Sequence, residues 1–442
     1  MNKDLLMKKW QWYPVSFLLG WLFVGDFIRK LIPGQPSAVV LVGDFILLVV
    51  YVLFGIFLWR RKLIWRPPFL LPLILFAVFV TIKTIGTAPN FIISALAFRT
   101  YLWYIPLLFV GYYLFPNKEK LLQFIRIITY VAIPLFIFAF GEYLFWDASI
   151  PFLRPFLDGH QVHDFWGVRD GVPLVPSVFG SGQRYGLVSV ILLFLGLSLC
   201  FSLKKEQKSF RKIMTIAATA SAFGGMMFSG SRSAFMMTII GLLLFCIFRK
   251  FDKNKKIKSF LWGAFNFLVI FLAIIVFLII TSQLGFKASM FYLDSFRCID
   301  NDILARLIRE FNFVSPYITV SGTSPYSLSQ GIQKFTGVKP SDVSVPVEAG
   351  LPRLLFNLGL IGSILFYGLW GCIIYYGSRI AQGLEKGIYK DLGIAIIVIF
   401  IVILLRSTFV HLQAFFDQIS LVMLWLFVGI LYKLSESTDE KI

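Results

Sequence analysis

The chain has 442 residues, 58% of them hydrophobic and 17% aromatic against 15% charged, with a mean hydropathy of +0.80. That is far more apolar side chain than a soluble domain can bury, so a water-soluble enzyme is excluded and the bilayer is the main solvent. The formal charge of +19 sits largely in short loops beside apolar runs, where it fits membrane topology and anionic lipid rather than a nucleic-acid surface.

Apolar runs of bilayer length recur at about 10–28, 39–58, 67–84, 91–115, 121–145, 183–203, 213–229, 233–248, 259–281, 351–377, 391–409 and 417–433. They predict an all-α integral membrane protein of about 12 transmembrane helices, a single polytopic domain over residues 1–442. The first run lacks a small-residue cleavage site and further spans follow it, so it reads as a retained helix. Basic residues fall in alternate loops: Lys3, Lys8 and Lys9; Arg60, Arg61 and Lys62; Lys204, Lys205 and Lys208; Arg249 through Lys258; Lys386 and Lys390. The positive-inside rule then puts both termini in the cytoplasm, with the chain in an inner membrane. The same parity puts two polar segments in the periplasm, an outer loop at 146–182 and a large, partly helical loop at 282–350 between the ninth and tenth helices. Loops of that length usually carry function. The cytoplasmic loops are too short to bind a nucleotide or a nucleic acid, so ATP is not expected as a direct energy source.

The cytoplasmic loops favour lysine, whereas the outer half favours arginine. Topology does not require that inversion. Arginine's planar fork grips phosphate oxygens in pairs and tolerates partial desolvation, so an arginine-rich outer cavity suggests an anionic ligand such as a lipid-linked pyrophosphate.

Particular residues stand out. Phe228-Ser229-Gly230-Ser231-Arg232-Ser233-Ala234 breaks two apolar stretches with small residues and one guanidinium. Arg232 is either a ligand-binding arginine among backbone donors or an interfacial arginine snorkelling to headgroups. Arg169 and Arg184 bracket a glycine-rich approach to the sixth span. It reads as a backbone-donor loop or as a re-entry loop with Arg169 paired to Asp164 or Asp170. In the large loop, Arg306 and Arg309 share a face if 302–313 is helical, Arg297 lies nearby, and Glu310 is a neutralising partner for either. Glu348 and Arg353 stand about one to two turns apart at the mouth of the tenth span. They form either an ion pair or a base beside a phosphate-binding guanidinium. His160 and His163 have metal-compatible spacing but lack further ligands nearby, and His411 stands alone. Cys200, Cys246 and Cys372 lie in apolar runs and Cys298 lies alone in the large loop, giving neither a disulfide framework nor a zinc motif. No metal or cofactor is expected.

With these residues in place, the chain resembles the O-antigen ligase and Wzy-type polysaccharide polymerase superfamily of membrane glycosyltransferases, mainly over 165–250 and 295–370. Gly230-Ser231-Arg232-Ser233-Ala234 is similar to that family's Ser-Arg-Gly signature, and Arg169 with Ser177-Val178-Phe179 is similar to its upstream segment. Asn357-Leu358-Gly359-Leu360-Ile361-Gly362 resembles its Glu-x-Gly-Leu-Ile-Gly ending, with Asn357 in place of the usual acid. Glu348 and Ala349 stand where the ligase branch carries a histidine and an amide or serine, which shifts the resemblance toward a polymerase. It implies a donor glycan on undecaprenyl pyrophosphate, a glycan acceptor, the lipid bilayer and a chain-length regulator as partners. It also implies a metal-independent inverting transfer, with Arg169, Arg184, Arg232, Arg306 and Arg353 on the pyrophosphate and Glu348 taking the acceptor proton. A glycan ligase is the near alternative, and a lipid-linked glycan flippase is the alternative from another class.

Overall fold

A computed structural model describes residues 3–32, 38–62, 65–88, 90–145, 156–157, 160–161, 168–169, 172–203, 209–250, 256–283, 291–292, 305, 307–323, 349–410, 415 and 417–439. The architecture is helical, as lipid demands: without water to satisfy N–H and C=O groups, a spanning segment must close its hydrogen bonds within itself. The helices are α1 (Lys3–Leu31), α2 (Ala38–Arg61), α3 (Leu70–Thr87), α4 (Phe91–Tyr101), α5 (Leu107–Tyr113), α6 (Lys118–Tyr130) and α7 (Ala132–Leu144). After two short antiparallel ladders come α8 (Gly182–Phe201), α9 (Ser209–Phe228), α10 (Arg232–Lys250), α11 (Lys256–Gln283), α12 (Gly350–Gly383), α13 (Ile388–Phe409) and α14 (Gln418–Asp439).

Among the described residues, nine helices are long and apolar enough to cross a membrane, α6 and α7 running on as one, which makes this a multi-pass helical membrane protein. The apolar runs at 10–28, 91–115 and 213–229 are also helical, and the last two differ from the nine. The run at 91–115 is two half-helices, because Leu102 to Pro106 forms turns and Pro106 has no N–H to continue the ladder. The run at 213–229 is diluted by Thr, Ser, Ala and Gly. Those small residues suit close packing against a neighbouring helix.

The core sits on α14, α8 and α13, whose membrane windows are 83%, 78% and 72% buried, whereas α11 is 11% buried and lies at the periphery. α14 crosses α5 at close range: a β-carbon on Gly111 would run into the Leu426 carbonyl, and one on Gly429 into the Leu108 carbonyl. Small residues at such crossings let two backbones approach in lipid, where packing replaces the hydrophobic drive. At one end of the bundle, Asp391 accepts from Arg249 (3.0 Å) and from Ser202 (3.0 Å), and Trp65 stacks on Tyr112 with ring centroids 4.1 Å apart. The groups described next gather at the other end.

Candidate functional site

The break at Ser229–Ser233 is a tight turn that starts α10. Gly230 has φ +62°, a left-handed conformation that glycine adopts without cost. The Ser231 hydroxyl accepts from the Ala234 N–H (3.3 Å), capping α10, and the Ser229 hydroxyl accepts from the Ser231 N–H (3.2 Å). The turn is braced from two sides. A β-carbon at Gly186 would stand 2.7 Å from the Ser229 hydroxyl, so the start of α8 lies flush against it. From the large loop, the Tyr292 hydroxyl donates to the Met227 carbonyl (3.0 Å) at the end of α9. Burial pushes that phenol above its usual range, so it stays a neutral donor. The Arg232 guanidinium lies over the Phe291 ring, 4.4 Å from its centroid.

A second arginine supports the turn from α13. Arg406, 5% exposed, donates through Nε to the Ser233 hydroxyl at 3.0 Å, and Ser233 is 3.1 Å from the Ser231 hydroxyl. Arg406 also lies in the field of Asp417, the buried carboxylate that caps α14 by accepting from the Ile419 N–H (2.9 Å). Asp417 pairs with Arg184, and Arg184 pairs in turn with Asp26 of α1, which also accepts from the Gly180 N–H (3.1 Å). Beside them Arg99 of α4 pairs with Asp44 of α2 at 2.6 Å, and the Tyr104 hydroxyl donates to the same carboxylate (3.2 Å). Asp26, Arg29, Arg99, Arg184 and Asp417 border one half-open cavity of about 140 Å³.

α12 carries the third part. Arg353 is set in its first turns, within the field of the Tyr101 hydroxyl, and the Asn357 amide donates to that hydroxyl at 3.5 Å. The helix breaks at Gly359 (φ +68°, ψ −170°), a conformation essentially confined to glycine. Residues 319–323 dock on the break: the Leu360 and Ile361 N–H groups reach the Thr319 and Val320 carbonyls (3.2 and 3.1 Å), and Lys83 donates to the Gly322 carbonyl (2.7 Å). Glu310 accepts from the Ala349 N–H (2.7 Å), so its carboxylate faces the positive end of α12. Arg309 is exposed.

Of the residues singled out in the sequence, Arg184, Arg232 and Arg353 therefore come to the same end of the bundle. Arg184 is committed to two carboxylates. Arg169 pairs its backbone with Val172 in a two-residue ladder, and its side chain lies outside the described residues. Arg306, Glu348, His163, His411, Arg297 and Cys298 also lie outside them. His160 sits in the other ladder, and among the described residues no three His, Cys, Asp or Glu gather as a metal site. Sequence reasoning passed over Arg406, Asp417, Asp26, Asp44 and Arg99. The signal was present in most of them as single charges inside or at the edge of apolar runs, where an ionisable residue is a functional candidate by default.

Compared with known proteins, the chain matches no family model and no curated sequence. The chemistry has to be read from the groups themselves. Guanidiniums from α10 and α12, held among apolar helices, can stabilise negative charge that develops on a leaving group, while those from α8 and α13 are engaged by Asp26, Asp417 and Ser233.

Proposed function

We propose that the chain is a membrane glycosyltransferase that polymerises undecaprenyl-pyrophosphate-linked oligosaccharide repeats of an O-antigen, capsule or exopolysaccharide on the periplasmic side of the bacterial inner membrane. The observation that carries this reading is the convergence of Arg184, Arg232, Arg353 and Arg406, from four separate helices, at one end of the bundle. Charges are retained inside apolar helices when function needs them. In this reading twelve helices cross the membrane, both termini are cytoplasmic and the arginine end faces the periplasm. The lysine-rich loops then lie on the opposite side.

The reaction is a direct displacement. A hydroxyl oxygen of one lipid-linked glycan attacks the anomeric carbon of another, and the bond from that carbon to the pyrophosphate oxygen breaks with inversion. Undecaprenyl pyrophosphate departs with the electron pair, and Glu348, next to the buried start of α12, takes the acceptor proton. Arg232 and Arg353, with Arg169 and Arg306 from the outer loops, stabilise the departing charge in the role a divalent metal plays in many sugar-nucleotide enzymes. Arg406 and Arg184 hold the turn and helix that present them. The loop at 282–350 shapes the acceptor site, and a chain-length regulator is a further partner in this reading.

The test is a gel profile of polysaccharide from a deletion strain complemented with wild type, Arg232→Ala or Glu348→Gln, with membrane expression checked in each. Polymerase activity predicts single repeats on their acceptor without a long-chain ladder in the deletion and in both variants. Glycan missing from the acceptor while lipid-linked polymer accumulates would point to a ligase. A flippase is a second reading, favoured by the breaks in the 91–115 segment and at Gly359, since transporters build sites at interrupted helices. Lipid-linked repeats stranded on the cytoplasmic leaflet would decide for it.

A further inference from the structure

The cavity beside Arg184 differs in character from the arginines that flank it. Arg29, Arg99 and Arg184 line it with Asp26 and Asp417, Asp44 backs Arg99 and Arg406 faces Asp417, so four guanidiniums stand against three carboxylates and most of the positive charge is already matched. A multivalent anion would gain little there, because each carboxylate that holds an arginine also repels the guest. What the cavity offers is planar hydrogen-bonding groups of both kinds, fixed by their own pairs, arriving from α1, α4, α8 and α14. Carboxylates accept, guanidiniums donate from a rigid fork, and a sugar hydroxyl does both at once.

Two further groups point the same way. Trp21 lines the wall one turn before Gly25, and its indole lies so close along α1 that a β-carbon at Gly25 would be 3.0 Å from Nε1. An indole face is a platform for the apolar side of a pyranose. Gln418, at the first position of α14, also lines the cavity, and its amide nitrogen is shielded from solvent with no hydrogen-bond partner among the described residues. A shielded amide donor without an acceptor is costly, and a turn of the Gln418 side chain away from Gly43, against which it packs, would let a hydroxyl of a bound guest satisfy it. A volume of about 140 Å³ suits one monosaccharide ring, and the open side lets the remainder of a glycan continue outward.

We propose that this cavity is a subsite for one uncharged sugar residue, stacked on Trp21 and hydrogen-bonded by Asp26, Arg99, Arg184, Asp417 and Gln418. The choice of a sugar rests on the glycosyltransferase reading, whereas the binding itself is tested without turnover. The full-length protein is purified in a detergent that has no sugar headgroup. A panel of neutral methyl glycosides is screened by saturation-transfer difference NMR, with inorganic pyrophosphate as competitor. Trp21→Ala and Gln418→Ala are the variants, since neither residue belongs to an ion pair, and size-exclusion profile and melting temperature verify folding.

At least one glycoside should show transfer to its ring protons. Each variant should weaken that binding about tenfold or more, the loss of one stacking or hydrogen-bonding contact in a confined site. Pyrophosphate should leave the signal unchanged. The proposal is overturned if no glycoside binds, if both folded variants bind as wild type does, or if pyrophosphate displaces the sugar. Glycoside binding with an intact ladder in the deletion strain would sink the polymerase reading alone. A ladder that requires the chain without any glycoside binding would sink only the subsite.

Discussion

Asp417 joins three structural roles, and removing its charge gives the most discriminating test of the buried network. Asp417→Asn keeps an acceptor for the Ile419 N–H, because asparagine caps helices about as well as aspartate. It removes the charge that faces Arg184 and Arg406. Breaking a buried ion pair by removing one partner costs about 3–5 kcal/mol. Arg184 retains Asp26 and is partly exposed, which lowers the expectation to about 2 kcal/mol, or roughly thirtyfold in a rate. Membrane proteins of this size unfold irreversibly, so the quantity to follow is the rate at which the monodisperse protein disappears in detergent at fixed temperature. Asp417→Ala should be faster again by about 1 kcal/mol, the value of the lost cap. The double variant with Arg184→Met should then lose less than the sum of the singles, by about 1–2 kcal/mol, because each single change leaves the other charge stranded. If the two effects add to within about 0.5 kcal/mol, Asp417 and Arg184 are not coupled and the network is wrongly drawn.

Other consequences follow from single contacts. Ser231→Ala removes the cap of α10 and should destabilise by about 1 kcal/mol, speeding the same inactivation about fivefold, while Ser231→Asn should stay near wild type. Gly359→Ala forces a β-carbon into a left-handed conformation against the backbone of Gly322, and should cost about 1–3 kcal/mol in strain before any clash is counted. A melting temperature equal to wild type would remove the docked 319–323 segment from the account. Glu310→Gln keeps an acceptor for the Ala349 N–H but loses the charge at the start of α12, so it should cost about 1 kcal/mol, with Glu310→Ala costing more. Equal rates for both variants would show that the hydrogen bond contributes nothing.

Much was legible in the chain itself. Composition alone assigned it to the bilayer, and apolar runs of about twenty residues located the helices, because length and hydropathy are set segment by segment. The Gly-Ser-Arg-Ser interruption read as a break between helices, and it is one, since small polar residues with a left-handed glycine end α9 and cap α10 locally. The partners of the charges were not legible. Arg184 meets Asp26 across 158 positions and Arg406 meets Ser233 across 173. Glu310, placed by its spacing beside Arg306 and Arg309, also accepts from the Ala349 N–H at the start of α12, 39 positions away. The physical reason is common to all three. A run of apolar residues states that a helix is in lipid but not which helix lies beside it, so the pairing of a buried charge is fixed by the packing order of the bundle. The low-dielectric interior requires that each charge be paired or stabilised. Only the tertiary arrangement decides by which residue.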